Sequence, residues 1–124
     1  MIGLLMLAAT LPATHSRYDL RGATIYSNLC VDRQTDDVNG VRVFIRRTDP
    51  RVLVQVAEGG LEAPEVAAAH YRAGRLMFEL HSDAPSDRLS GKMTGDTLFV
   101  RTYEHGAEWF RLPKRESDRA PYCR

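Results

Sequence analysis

The chain has 124 residues, with 17 Lys and Arg against 16 Asp and Glu and a net charge of +1 at pH 7. This length allows one domain, which on folding would bury roughly two thirds of the surface that the unfolded chain exposes. Positive and negative residues are interspersed, without a basic stripe that would neutralise phosphates. Composition therefore argues against a nucleic-acid partner.

The chain starts with a short apolar segment typical of export signals. Residues 2–11 carry no charge, match the length of a signal-peptide core, and are too few to span a bilayer of about 30 Å. Small residues suited to cleavage follow at Ala13 and Ser16. We expect 1–16 to be a signal peptide and 17–124 a single periplasmic or secreted β-barrel domain without a membrane span. The alternative is a buried or disordered N-terminal segment of a cytosolic protein.

Two cysteines, Cys30 and Cys123, bracket most of the predicted domain. In an exported chain of this size such a pair favours a disulfide, here between the first strand and the C-terminus. The alternative is two free thiols in a cytosolic protein. The absence of a Cys-x-x-Cys spacing argues against a redox motif or a zinc knuckle.

Alternating apolar and polar residues, separated by turn residues, recur after the leader and predict β-strands. The candidate strands are 23–31, 40–48, 51–58, 64–72, 75–82, 87–94, 97–103 and 107–114. Most connections are too short for parallel crossovers, so consecutive strands must pair antiparallel. We predict an all-β, eight-stranded antiparallel up-and-down barrel, because closure removes both exposed edges. A β-sandwich is the alternative.

Three hairpins specify the strand register, since a slip of one residue exchanges the two faces of a strand. A turn at Ala73 and Gly74 places Ala69 opposite Phe78, and Tyr71 opposite Leu76, with all four side chains inward. A turn at 95–96 aligns 89–93 with 98–102. In the last hairpin, a turn at 104–106 with left-handed Gly106 pairs 100 with 110 and 98 with 112.

The hairpin 89–98, with its glycine-punctuated sequence LSGKMTGDTL, resembles hairpins of calycin-like barrels, the group of the lipocalins and avidin-like proteins. The resemblance covers 23–114 and implies a barrel that binds a small apolar ligand. The Gly-x-Trp of lipocalins is not matched, since Ala23 and Thr24 follow Gly22.

A second resemblance is to the periplasmic inhibitors of C-type lysozyme, which are small barrels with a disulfide that reaches the C-terminus. Ser90 and Gly91, residues 106–109 and Cys123 follow in a similar order. The tyrosine of the inhibitory Ser-Gly-x-x-Tyr loop is replaced by Thr94. This resemblance implies a protein partner instead of a small ligand.

The sequence contains no pattern typical of a catalytic or metal site. His70 and His81 are expected several residues apart on the outer face, His105 in a turn and His15 in the leader, so the histidines do not converge on one ion. No nucleophile beside a base and no pair of catalytic carboxylates is evident. We therefore expect no enzymatic activity, no metal and no cofactor.

Two regions remain as candidate binding sites. The first is the barrel interior, where small residues opposite large ones would leave space for an apolar ligand or simply pack against each other. Its candidate residues are Ala67, Ala69, Tyr71, Phe78 and Met93.

The second is an outward surface of aromatic, aliphatic and arginine residues. Its members are Phe44, Leu53, Phe99, Arg101, Trp109 and Arg111. Arginines stacked on rings would explain this composition, but it is also the composition of protein-interaction hot spots. The expected function is thus an exported, non-enzymatic binding barrel for a small hydrophobic ligand or for a protein partner, present as a monomer or a homodimer.

Overall fold

The computed structural model describes residues 18–81, 88–102, 106 and 108–124. This part of the chain is all-β and contains no helix, so none of its segments is a helix that could cross a membrane. The predicted signal peptide, 1–16, lies outside the described residues. The strands are β1 (Thr24–Ser27), β2 (Cys30–Val31), β3 (Val38–Ile45), β4 (Arg51–Gly59), β5 (Glu65–Arg72), β6 (Arg75–Leu80), β7 (Leu89–Thr94), β8 (Thr97–Thr102), β9 (Phe110–Leu112) and β10 (Lys114–Arg115).

The strands form one antiparallel sheet that curls into a nearly closed barrel. Their order is β10-β1-β3-β4-β5-β6-β7-β8-β9, with β2 paired to β3. Only Pro113 separates β9, which pairs with β8, from β10, which pairs with β1. This last run therefore joins the two ends of the sheet, and the predicted antiparallel up-and-down barrel is confirmed over the alternative sandwich.

The eight predicted strands appear as ten segments because the first and the last are interrupted. The first breaks after Ser27, where the Asn28 side-chain oxygen accepts a hydrogen bond from the Val41 backbone N–H at 2.7 Å. The Asn28 side-chain oxygen thus takes the place of a backbone carbonyl as the acceptor for the Val41 N–H. The last strand breaks at Pro113, which has no N–H to donate.

The predicted registers of the hairpins are confirmed. Ala69 lies opposite Phe78, and the turn residues Ala73 and Gly74 have φ angles of 53° and 76°, as a two-residue hairpin turn of type I′ requires. The next hairpin aligns Gly91 with Val100. In the last hairpin, residues 98 and 100 face 112 and 110, and Gly106 has a φ of 76°. The other turn residues, 104 and 105, lie outside the described residues.

Inward side chains from all the long strands form a continuous apolar core. Its members include Tyr26, Val43, Ile45, Val52, Val54, Leu76, Phe78, Leu89, Leu98, Val100 and Leu112. From β3 to β9 they are the apolar halves of the alternating segments, so the period-two pattern correctly predicted which residues of these strands face inward.

The C-terminal tail is fastened to the start of the barrel. Cys30 and Cys123 form the predicted disulfide, with their Cα atoms 4.8 Å apart. In addition, the Val31 N–H donates to the Pro121 carbonyl at 2.7 Å and the Cys123 N–H donates to the Val31 carbonyl at 2.9 Å. The tail is therefore held by backbone pairing as well as by the covalent bond.

Candidate functional site

The residues predicted to line an interior site mostly belong to the packed core. Phe78 and Ala67 are buried in it, and Ala69 and Met93 are partly buried against it. The ring of Phe78 lies directly on Gly91, where an added Cβ would come within 2.7 Å of three ring carbons. The large side chain therefore fills the space that the small residue leaves, and this pair forms a packing contact instead of a cavity lining.

Tyr71 is not an interior residue, contrary to the expectation. It occupies an inward register position opposite Leu76, yet it is 62% exposed. The reason is its place beyond the start of β4: Arg51, the first residue of β4, pairs with Ala68, so among the described strands Tyr71 has a neighbour only on the β6 side. Tyr71 instead lines a groove of about 290 Å³ at this end of the barrel, together with Ile45, Leu76 and Met93. We call this groove the barrel mouth.

The predicted outward surface divides into two parts, of which the first is buried. Phe44 and Leu53 are paired on the outer face, but they are only 6% and 7% exposed. The guanidinium of Arg42 lies 5.2 Å from the centre of the Phe44 ring. Phe44 and Leu53 are therefore unavailable to a partner in this structure, which corrects their assignment to an exposed interaction surface.

The segment at Tyr18 and Asp19 lies against this same side of the barrel. The Tyr18 hydroxyl donates to the Arg51 carbonyl at 3.1 Å and accepts from the Arg46 N–H at 3.2 Å. The Asp19 carboxylate pairs with Arg46 at 3.3 Å, and hydrogen bonds from Arg21 lower the pKa of Asp19 to about 2. Side-chain contacts thus fasten the start of the described chain to β3 and β4.

The second part, on β7 to β9, is accessible and centres on Trp109. The Lys92 ammonium lies 4.2 Å and the Arg101 guanidinium 4.6 Å from the centre of the Trp109 ring. Phe99 pairs with Lys92 on one side and with Arg111 on the other. We define Lys92, Phe99, Arg101, Trp109 and Arg111 as the Trp109 face.

A surface groove of about 500 Å³ extends from Trp109 and Arg101 towards β5 and β6. His70, Arg72 and Met77 contribute to its lining. The Nε atom of Arg101 is buried and has no hydrogen-bond partner among the described residues. The guanidinium stacks on the aromatic ring, and no ion pair joins it to a carboxylate of the described residues.

Arg101 stacks on the ring of Trp109, in agreement with the predicted stacking of arginines on rings, whereas Lys92 was not among the predicted site residues. Its outward position follows from the register that places Gly91 and Met93 inward, so the signal was present in the sequence. What the sequence did not provide is the reach of the Lys92 side chain across β8 to the ring of Trp109.

The two described histidines do not form a metal site. His70 lies opposite Met77 in the β5–β6 ladder, and His81 pairs with Glu79 at 3.1 Å. Within 18–81, 88–102, 106 and 108–124, no group of three or more His, Cys, Asp and Glu residues is arranged to hold a metal ion. The predictions for His15 and His105 fall outside those residues.

Comparison with known proteins found no matching family model, no matching curated protein and no matching solved structure.

Proposed function

We propose that this chain is an exported, non-enzymatic binding barrel that recognises a protein partner through the Trp109 face. The observation that carries the proposal is the accessible Trp109 ring with Lys92 and Arg101 within 5 Å of its centre, next to a groove of about 500 Å³. Tryptophan and arginine are the residues most enriched in protein-binding hot spots.

The two halves of the outer surface differ in a way that supports this choice. Phe44 and Leu53 on β3 and β4 are buried, whereas Phe99, Arg101 and Trp109 are half-buried and Arg111 is exposed. A half-buried aromatic residue is held in a defined position and still presents apolar area to a partner, which lowers the entropy cost of binding.

Export is supported by the disulfide, because such bonds persist in oxidising compartments such as the periplasm or the extracellular space. The up-and-down strand order supports the resemblance to calycin-like barrels. The lysozyme-inhibitor variant of the proposal is tested directly by an inhibition assay with C-type lysozyme.

The proposal is tested by photo-crosslinking followed by binding measurements. A photoreactive amino acid replaces Phe99 in the source organism, and the captured protein is identified, purified and titrated against the wild-type chain. We expect Trp109→Ala to weaken binding at least tenfold, since removing a hot-spot residue costs about 2 kcal/mol or more.

Tyr122→Ala is the matched control, because Tyr122 is an exposed aromatic residue with Arg33 at 4.8 Å from its ring, away from the Trp109 face. Its effect should stay below twofold. Equal effects of the two substitutions, or no effect of Trp109→Ala, would contradict the proposal.

The barrel mouth supports a second candidate function, the binding of a small apolar molecule. Ile45, Leu76 and Met93 supply apolar walls, and the Arg47–Asp96 ion pair at 2.8 Å stands at the rim. Native mass spectrometry of the protein purified from its own source distinguishes the two candidates. A small molecule that co-purifies favours the mouth, and a bare or protein-bound chain favours the Trp109 face.

A further inference from the structure

The outer face of β5 to β9 carries an excess of positive charge. Alternation along the strands and the observed registers place five cationic side chains on this face: Arg72, Arg75, Lys92, Arg101 and Arg111. The ion pairs within the described part of the chain involve Arg21, Arg46, Arg47, Arg51 and His81, so none of the five cations has a carboxylate partner there.

One acidic side chain, Glu79, shares this face in the strand residues that the structure describes. It is already engaged, because its carboxylate accepts a hydrogen bond from the Ser90 hydroxyl at 3.4 Å and pairs with His81 at 3.1 Å. Within the described strands of this face, no free carboxylate therefore balances the cations, although the whole chain has a net charge of only +1.

We infer that the Trp109 face binds an extended acidic segment of a protein, with its carboxylates directed to Arg101, Arg111 and Lys92. This inference rests on the proposed function and specifies the chemistry of the partner. Arginine binds a carboxylate through two parallel N–H groups, and complementary charge across an interface determines which partner is accepted.

The outer face of β5 to β9, of which the Trp109 face is the β7–β9 part, has dimensions that agree with a short segment. Four steps between neighbouring strands lead from β5 to β9, and at about 4.8 Å each they span roughly 19 Å. An extended chain advances about 3.3 Å per residue, so about six residues cross the face.

Two other anionic partners fit less well. Met77, 39% exposed, is the one large exposed apolar side chain that the described strands place on this face, which is little apolar surface for insertion into a membrane. The low net charge of the chain provides weak long-range attraction to a nucleic acid, whose binding depends on neutralising many phosphates.

The test uses the wild-type protein and two labelled ten-residue peptides, one of alternating Glu and Ser and the other of alternating Gln and Ser. Fluorescence anisotropy at 0.1 M NaCl should show at least tenfold tighter binding of the Glu peptide. At 1 M NaCl, where the Debye length falls from about 10 Å to about 3 Å, the preference should disappear.

Paired variants locate the binding. Arg101→Gln combined with Arg111→Gln should weaken binding of the Glu peptide at least tenfold. The control combines Arg33→Gln with Arg119→Gln, which makes the same change in charge at exposed positions in the turn before β3 and in the tail. Its effect should stay below twofold.

Three results would overturn the inference: equal affinity for the two peptides, equal effects of the two paired variants, or tighter binding of anionic vesicles or single-stranded DNA with the same dependence on Arg101 and Arg111. If Trp109→Ala weakens binding of the crosslinked partner but the Glu peptide binds no more tightly than the Gln peptide, the inference of an acidic segment is refuted and the proposed function is not. If Trp109→Ala leaves partner binding intact, the proposed function fails, whatever the peptides show.

Discussion

At the scale of single residues, the contact between Gly91 and Phe78 determines whether the barrel interior is hollow or filled. Strand alternation places both residues inward and opposite each other, and this arrangement is compatible with a cavity or with close packing. The structure shows the ring of Phe78 directly on the glycine. Because Phe78 is only 2% exposed, its ring cannot turn into solvent to accommodate a larger residue.

We expect Gly91→Ala to lower the free energy of unfolding by about 1 to 3 kcal/mol, the usual cost of overpacking a core. Urea denaturation followed by tryptophan fluorescence measures the change. Gly60→Ala is the matched control, since nothing lies within 4 Å of a Cβ at position 60, and it should change stability by less than about 0.5 kcal/mol. Equal stability of the two variants would show that the ring does not occupy this space.

At the scale of secondary structure elements, β5 changes its neighbour halfway along. Residues 65–68 pair with β4, whereas 69–72 pair with β6. The Ala69 N–H donates to the Pro50 carbonyl at 2.8 Å, on the β4 side. Backbone N–H and C=O groups point alternately to the two sides of a strand, so those of Val66 and Ala68 face β6. At this place a groove of about 700 Å³ separates β5 from β6.

Amide hydrogen exchange should detect this separation. We expect the N–H groups of Val66 and Ala68 to exchange at least tenfold faster than those of Ala67 and Ala69, because they face β6, whose pairing with β5 begins only at Ala69, whereas the other two face β4. Exchange followed residue by residue by NMR provides the measurement. Equal protection of all four amides would indicate that β5 and β6 are paired along their whole length in solution.

At the scale of the whole molecule, closure depends on the last residues of the chain. β10 pairs with β1 through Lys114 and Arg115, and the Ser27 N–H donates to the Pro113 carbonyl at 2.9 Å. The disulfide then links residues 93 positions apart. In the loop-entropy model, such a long covalent loop stabilises the fold by restricting the unfolded chain.

Replacing both cysteines, Cys30→Ser together with Cys123→Ser, should lower the free energy of unfolding by about 4 to 5 kcal/mol in the loop-entropy model. Chemical denaturation of the variant and of the oxidised wild type gives the difference. Wild type reduced with a phosphine serves as the control for the substitutions themselves. A difference below about 1 kcal/mol would contradict the model for this protein.

The strands and their registers could be predicted from the sequence because they depend on local patterns. Alternation specified the inward set that includes Phe78 and Leu98, and the turn residues Ala73 and Gly74 specified which residues face each other. The Cys30–Cys123 disulfide followed from cysteine count and chain size. Each of these features can be predicted from residues close together in the sequence or from composition.

The exposure of the candidate site residues could not be predicted in the same way. Alternation places a side chain on a face, but the exposure of that face depends on which distant segments cover it. Phe44 and Leu53 are outward and buried, whereas Trp109 is outward and accessible. Tyr71 is inward in register and yet exposed, because β5 extends past the start of β4 at this position.

The sequence by itself thus determined the barrel, the sidedness of its strands and the covalent link between its ends. Only the tertiary structure decided that Phe78 fills the space beside Gly91 and that the Lys92 side chain reaches the ring of Trp109. The physical reason is that strand pairing follows from period and turn geometry, whereas exposure and side-chain stacking depend on the curvature that brings distant residues together.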